Sequence, residues 1–380
     1  MATRLRMRLA AAAAVPLVLV TACTGGGSLR PGTPSAAAAG PGGSSAGTSP
    51  VPAAERVSLS ETGSTLLFPL MKVWSAAYSR QYPQVSIRAG GTNSGAGIAE
   101  ASAGTVNIGA SDAYLSSGDA VKDPAMLNVP LAISAQQVNY NVPDLGAGVH
   151  LKLNGAILAQ MYEGKVTAWN APAVAALNPG VKLPDTKVVP LHRSDRSGDT
   201  FLFTGYLAAH DAAWNSDIGY GTKVDWPITN GPVAWTKNSG MVAGCKATPG
   251  CVAYVGISYL SRALADGLGE AQLENAAGHY LLPTPTSIRA AVAAFASATP
   301  SNETISMVGS PAAEGYPIIN YEYAIVSMRQ PSALKARDIK AFLHWAVTAG
   351  NSAQYLMQVR FAPLPASVVS LSNAQIAKIS

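Results

Sequence analysis

Three stretches of the chain place serine, threonine and glycine where a short β-like run gives way to a helical pattern, the point at which backbone N–H groups are free. V-S-L-S (57–60) leads through E-T-G-S-T-L-L-F-P-L into an amphipathic run, with Ser64 and Thr65 as N-cap candidates. V-S-I-R-A (85–89) passes through G-G-T-N-S-G-A-G, so that Ser94 sits between glycines where a helix should begin. K-V-V-P-L (187–191) passes through H-R-S-D-R-S-G-D, putting Ser197, Gly198 and Asp199 at a helix entrance with Arg193 just upstream. Any one such join is explained by helix capping alone. Three of them supply hydroxyl donors, free N–H groups and positive dipole ends, which is the chemistry of an anion site. In an open α/β sheet all three would lie at the carboxyl ends of strands, where ligands bind.

A fourth element, V-N-I-G-A-S-D (106–112), reads as a strand ending at Asp112. A capping or turn aspartate is the plain explanation. If Asp112 faces the same cleft, it is an acceptor among donors, and that suits only an anion carrying its own proton. Phosphate near neutral pH carries one and sulfate does not; a buried acceptor left unpaired by the wrong ligand costs ~1–3 kcal/mol.

The elements that must position these residues occupy a chain of 380 residues, 48% hydrophobic, 12% charged and 7% aromatic. That length allows two domains with ample core, and the composition excludes a disordered chain. The formal charge of +5 is concentrated at the start: without residues 1–22 there remain 23 basic against 21 acidic residues. A basic body with nucleic-acid partners is therefore excluded. Residues 1–22 run from Arg4, Arg6 and Arg8 through the apolar stretch Leu9 to Val20 to small residues, the order of a signal peptide. L-V-T-A-C resembles the bacterial lipobox, which implies Cys23 as the lipid-bearing first residue of the mature chain, anchored to the cell membrane by acyl chains such as palmitate. Residues 23–54 hold 28 Gly, Ala, Ser, Pro or Thr among 32, a tether with a reach of roughly 30 Å. Within it G-S-S-A-G (43–47) matches a hydrolase pattern but lacks the strand and helix that pattern needs.

Cys245 and Cys251 bracket K-A-T-P-G, which in an exported chain reads as a short-loop disulfide worth ~2 kcal/mol. A metal site is the alternative, but His150, His192, His210, His279 and His344 are scattered and never share ligand spacing. Trp74 with Tyr78, and Phe342 with Trp345, recur at helical spacing and read as core.

Taken together, E-T-G-S-T-L-L-F-P-L, G-T-N-S-G-A-G-I-A, V-N-I-G-A-S-D-A-Y-L-S, H-R-S-D-R-S-G-D-T-F-L-F-T and G-Y-P-I-I-N-Y-E-Y-A-I-V resemble the phosphate-binding lipoproteins of Pst-type ABC phosphate importers, most closely their mycobacterial members. The resemblance covers essentially everything after the tether. It implies a two-lobed α/β fold of the periplasmic-binding-protein type II class, with the cleft between lobes and a two-strand hinge. Lobe I would be 55–142 and 319–380, lobe II 143–318, the chain crossing near 138–142 and 317–321. It implies phosphate held by Ser64, Thr65, Leu66 (through its backbone N–H), Ser94, Asp112, Ser197, Gly198 and Asp199, with Arg193 either on phosphate or paired with an aspartate. It further implies an extracytoplasmic binding protein with permease and ATPase partners, without cofactor, metal or catalysis.

Two positions depart from the family pattern: Asp199 stands where many members outside the mycobacterial group have threonine, and Arg196 where glycine is usual. With two carboxylates in the cleft, Asp112 and Asp199 are expected to divide the acceptor work. Arg196 would steer anions if it points into the cleft and do little if it points to solvent. The rivals are a site for sulfate or molybdate, and a phosphatase or esterase using Ser94 or Ser197 with His192 as base; the latter lacks any activating arrangement in the sequence.

Overall fold

β-Branched and aromatic runs bounded by Gly, Pro, Asn and Asp set the strands of this chain, and the helices follow them through the Ser/Gly joins. The computed structural model describes residues 50–145, 148–227 and 233–380, which belong to one compact unit. The signal segment, Cys23 and G-S-S-A-G (43–47) lie outside the described residues. No helix among the described residues is long and apolar enough to cross a membrane.

Numbered along the chain, the strands are β1 Val57–Gly63, β2 Val85–Gly91, β3 Ile108–Ser111, β4 Met126–Asn141, β5 Lys152–Leu153, β6 Val189–Arg193, β7 Val233–Trp235, β8 Cys251–Gly256, β9 Gly269–Glu270, β10 Gln272–Glu274, β11 Tyr280–Leu281 and β12 Ile319–Ser327. The main sheet runs β2-β1-β3-β12-β4-β8-β6-β7, with β9 beside β4; β11, β10 and β5 form a small second sheet. The strands that feed the joins are parallel to a neighbour, β1 with β2 and β3, and β6 with β7 and β8. Their carboxyl ends therefore point the same way within each half of the sheet. The class is α/β, as expected.

The two halves are joined by the 16-residue strand β4, whose Met126–Ala135 pairs antiparallel with β12 and whose Gln136–Asn141 pairs with β8. The exchange of partners comes at Ala135/Gln136, ahead of the 138–142 crossing read from the sequence. The return strand β12 starts at Ile319, within the 317–321 segment expected for it.

Helix Phe68–Gln81 lays Trp74 and Tyr78 against Phe342 and Trp345 of helix Ala333–Val347, merging the two aromatic pairs into one core cluster. Lys72 and Arg80 of the first helix stay exposed. The tether ends sooner than its composition suggests: Pro52 and Ala53 are buried, and the Ala53 N–H donates to Asp338 Oδ1 at 2.8 Å. A buried carboxylate seeking a donor holds this otherwise featureless segment to the body. Cys245, on helix Lys237–Ala247, and Cys251, opening β8, are joined by a disulfide that closes this helix–strand connection.

Candidate functional site

At the end of β1 the chain turns through Gly63, whose φ of +145° and close approach to the Ala110 carbonyl exclude any side chain. That turn lets the Ser64 N–H donate to Ala110 O at 2.9 Å. The Ser64 hydroxyl then accepts from the N–H groups of Leu66 (3.0 Å) and Leu67 (2.9 Å) and donates its own hydrogen to Asp112 Oδ1. Ser64 thus organises a turn ahead of the helix, which starts only at Phe68 with Pro69 in its first turn. The Leu66 N–H is committed to this turn, and the Leu66 carbonyl accepts from Ser258 Oγ at 2.8 Å.

In the second join the cap is Asn93, whose Oδ1 accepts the Ala96 N–H at 2.8 Å. Ser94 is the first helical residue of Ser94–Ser102, and its hydroxyl is free to donate to Asp112 Oδ2 and to accept the Asp112 N–H, both at 3.2 Å. Asp112, one residue beyond β3 and 2% exposed, is held by both serines. Behind it stands Glu322 of β12, wholly buried and close enough to interact with the Asp112 carboxyl. Glu322 receives Ser134 Oγ at 2.5 Å and Asn320 Nδ2 at 3.1 Å on Oε1. Burial, then the charge of Asp199, pushes Asp112 up to about 7, against bonds from its neighbours and the charge of Arg193. Burial, then the charge of Asp112, likewise pushes Glu322 well above the usual carboxylate range.

The third join behaves as its sequence indicates: Ser197 caps helix Gly198–His210 and accepts the Asp199 N–H at 3.1 Å. Arg193, ending β6 and 3% exposed, is paired with two aspartates. Its Nε and Nη2 each reach Asp195 at 2.6 Å and its Nη1 reaches Asp199 Oδ2 at 2.9 Å. The bidentate geometry is the one guanidinium favours. Asp199 Oδ2 also accepts from Asn238 Nδ2 at 2.8 Å and Ser197 Oγ at 3.3 Å, while Gln136 Nε2 donates to Asp199 O (2.8 Å) and Oδ1 (3.3 Å). Burial raises the Asp199 carboxyl, and Arg193, Asn238 and Gln136 act to lower it.

The joins meet across the two halves of the sheet. The Gly95 N–H donates to Arg196 O at 2.9 Å, and Thr65 Oγ1 accepts from both the backbone N–H (3.2 Å) and Nδ2 (3.1 Å) of Asn238. At Gly198 a Cβ would stand 2.5 Å from Asp112 Oδ2 and 2.6 Å from Ser94 Oγ, so the entrance of this helix is pressed against the acceptor cluster. Among the described hydrogen bonds the Thr65 and Gly198 N–H groups have no acceptor. All nine residues singled out by the sequence are therefore in one cluster. Arg196 is exposed, its stem lying over Gly95.

Three contributors escaped the sequence reading: Asn238, Gln136 and Glu322. Asn238 opens a fourth strand-to-helix join, and N-S-G (238–240) repeats the tripeptide at 93–95, a signal that was there to be read. Gln136 and Glu322 lie within strands; Glu322 falls inside the motif G-Y-P-I-I-N-Y-E-Y-A-I-V, but neither was singled out, each being one polar residue in an apolar run. His192 stacks on Trp226 with ring centroids 5.0 Å apart and bonds the Arg193 carbonyl through Nδ1, while Ser94 and Ser197 donate to carboxylates. Among the described residues no three His, Cys, Asp or Glu side chains converge as a metal site. A cavity of about 250 Å³ lined by Phe201, Gly205, Tyr220 and Val308 lies along the same helix but is lined by none of the acceptor cluster.

Comparison with known proteins gives a consistent picture. Residues 39–349 match the family model of a PBP superfamily domain. The phosphate-binding protein PstS of Methanocaldococcus jannaschii is 32% identical over 365 residues, 90% of this chain and 87% of the relative. Phosphate-binding protein PstS3 of Mycobacterium bovis is 30% identical over 308 residues, 77% of this chain and 80% of the relative. Among solved structures, a high-affinity periplasmic phosphate-binding protein bound with phosphate superposes with a TM-score of 0.66 at 19% identity, covering 84% of this chain and 93% of that one, a likeness of fold.

Proposed function

The chain belongs to the PBP superfamily, among its phosphate-binding proteins, and from that premise we propose that it captures inorganic phosphate outside the cytoplasm and delivers it to the permease of an ABC importer. The observation that carries the reading is Asp112: a buried carboxyl held by Ser64 and Ser94, with the entrance of the Gly198 helix pressed against it. The N–H groups of Thr65 and Gly198 supply free donors for the phosphate oxygens, the hydroxyls of Ser94 and Ser197 turn to the ligand from the carboxylates they now bond, and Asp112 supplies the acceptor that a ligand proton requires. Arg193 acts through Asp199 and Asp195, to which it is bound, and keeps this half of the site from being a bare cluster of negative charge. The two halves of the sheet are the lobes, 55–142 with 319–380 and 143–318, and β4 and β12 are the hinge. Cys23 carries the lipid anchor, and residues 23–54 hold the body to it, the last of them packed on the body through Ala53.

Micromolar binding needs ~8 kcal/mol, within reach of a set of charge-assisted hydrogen bonds in a desolvated cleft. No chemistry is required of a protein that must release its ligand unchanged. The hydrolase reading has no support in the site, since neither serine is paired with an imidazole.

Calorimetric titration of the protein, stripped of ligand, should show one-to-one phosphate binding and no heat with sulfate. Sulfate binding instead would overturn the role of Asp112. The substitution Asp112→Asn should weaken phosphate roughly 10- to 100-fold, from the ~1–3 kcal/mol cost of a mismatched buried polar group, and narrow the gap between phosphate and sulfate.

A further inference from the structure

The hydrogen bonds behind Asp112 do not balance unless a carboxyl group there carries a proton. Asn320 Nδ2 donates to the carbonyls of Tyr321 (2.8 Å) and Asp112 (3.3 Å), which fixes its amide and turns its Oδ1 toward Ser134 Oγ at 2.6 Å. Ser134 has one hydroxyl hydrogen, yet its oxygen also lies 2.5 Å from Glu322 Oε1. One of these two contacts must use a hydrogen from Glu322. On its other side Glu322 Oε2 has no donor among the described residues, and its carboxyl is close enough to that of Asp112 for each to shift the other's titration. Two carboxylates so close cannot both stay charged in a buried site.

We infer that Glu322 carries a proton beside Asp112, so that the pair bears one negative charge, and that Glu322, without touching the ligand, sets the negative charge that Asp112 presents to the bound anion. This rests on the phosphate reading given above. With one proton between them the pair carries a single charge, so Asp112 can accept a hydrogen bond from protonated phosphate without confronting the anion with two carboxylates. The upward displacement of both groups, by burial in each case and for Glu322 also by the charge of Asp112, agrees with this. The other groups facing Asp112 are the neutral Ser64 and Ser94, Asp199 from the Gly198 helix, and Arg193 from β6, itself paired with Asp195. Loss of that proton at alkaline pH adds a charge beside the ligand and weakens binding; phosphate binding then draws a proton back.

The test compares the wild-type protein with Glu322→Gln, which keeps a donor toward Asp112 but has no proton to lose. Phosphate affinity is titrated from about pH 7 to about pH 9 in buffers of different ionisation enthalpy; the titration of phosphate itself is common to both proteins. Wild-type affinity is expected to fall about tenfold more than that of E322Q over this range, with proton uptake on binding that E322Q lacks. Identical pH profiles and proton counts in folded E322Q overturn the inference while leaving the phosphate reading intact; a wild type that binds no phosphate at any pH overturns the reading itself. Should E322Q fail to fold, carbon NMR of the wild type labelled at glutamate carboxyls decides. One glutamate in acid form at neutral pH must then respond to phosphate and lose that response in Asp112→Asn, and the absence of such a resonance overturns the inference.

Discussion

Two aspartates face each other across the cleft, equally buried, and the molecule carries their charge in opposite ways. Asp199 is neutralised by a cation: Arg193 bonds it at 2.9 Å, and Asn238, Ser197 and Gln136 take up its remaining lone pairs. Asp112 has no cation in contact, only two serine hydroxyls and a second carboxyl. A carboxylate paired with a guanidinium is held in its charged form. One held by hydroxyls beside a protonated carboxyl can still change its state. In the proposed site the two therefore take different roles, Asp112 facing the ligand and Asp199 anchoring the arginine, where the sequence led to a sharing of acceptor work between them. Arg193 in turn does not stand free to grip an anion, because two aspartates hold it.

The comparison breaks most easily at Arg193. Replacing it by methionine keeps much of the stem but leaves Asp199 and Asp195 without their cation, and breaking a buried pair from one side costs ~3–5 kcal/mol. R193M should therefore melt well below the wild type, and the phosphate site should suffer with it. A thermal unfolding curve unchanged from wild type would mean that Asp199 is carried by a proton as well, and the contrast would collapse. Next in size is Gly198→Ala, which drives a methyl group against Asp112 and Ser94. Overpacking of this kind costs ~1–3 kcal/mol, and because it falls on the contact between the halves it should appear as a 10- to 100-fold loss of phosphate affinity with little change in melting temperature. Equal affinities would show that this contact is not made when phosphate is bound.

Glu61 sharpens the contrast by showing a buried carboxyl with neither device. It lies in β1, 3% exposed, with no well-formed hydrogen bond to either oxygen among the described residues, and burial pushes it up to about 8 against the opposing Gly90 backbone. Its folded pKa is above its unfolded one, so the stability it permits is fully present below about 4.5 and is lost as pH rises through about 8. Glu61→Gln removes the titration and should flatten the fall in stability across that window. Parallel stability–pH curves for the two proteins would mean that Glu61 finds solvent or a partner in solution.

The loops of the candidate site were legible because helix entrances announce themselves locally: Ser197 with Gly198, Asn93 with Ser94, and the glycines that let backbones approach all lie within a few residues of one another. Asp112 was legible as the polar end of a strand. What escaped the sequence was the set of partners, since pairing is a property of the sheet. Glu322 reaches Asp112 only because β12 is inserted antiparallel between β3 and β4, and Gln136 reaches Asp199 because β4 changes partner at that residue. The two aromatic pairs were separately recognisable as core for the same local reason, while their union needed two helices far apart in sequence to pack. Arg193 illustrates the limit well: its position at a strand end was plain, and its commitment to Asp195 and Asp199 depended on a loop geometry that spacing does not encode.

Arg196 gives the smallest expected effect and tests whether the cationic half of the site extends beyond Arg193. Its side chain is exposed and its carbonyl, not its guanidinium, makes the contact across the cleft with Gly95. An exposed charge near a site steers an anion over about a Debye length, ~8–10 Å, and adds little once the ligand is bound. Arg196→Ala should therefore lower the phosphate association rate by less than about threefold at low salt, with the difference fading at higher ionic strength and the dissociation rate unchanged. Stopped-flow measurement of both rates decides the matter. A slower association that persists at high salt, or a faster dissociation, would place the guanidinium on the ligand and make the Arg193 half of the cleft a direct anion binder after all.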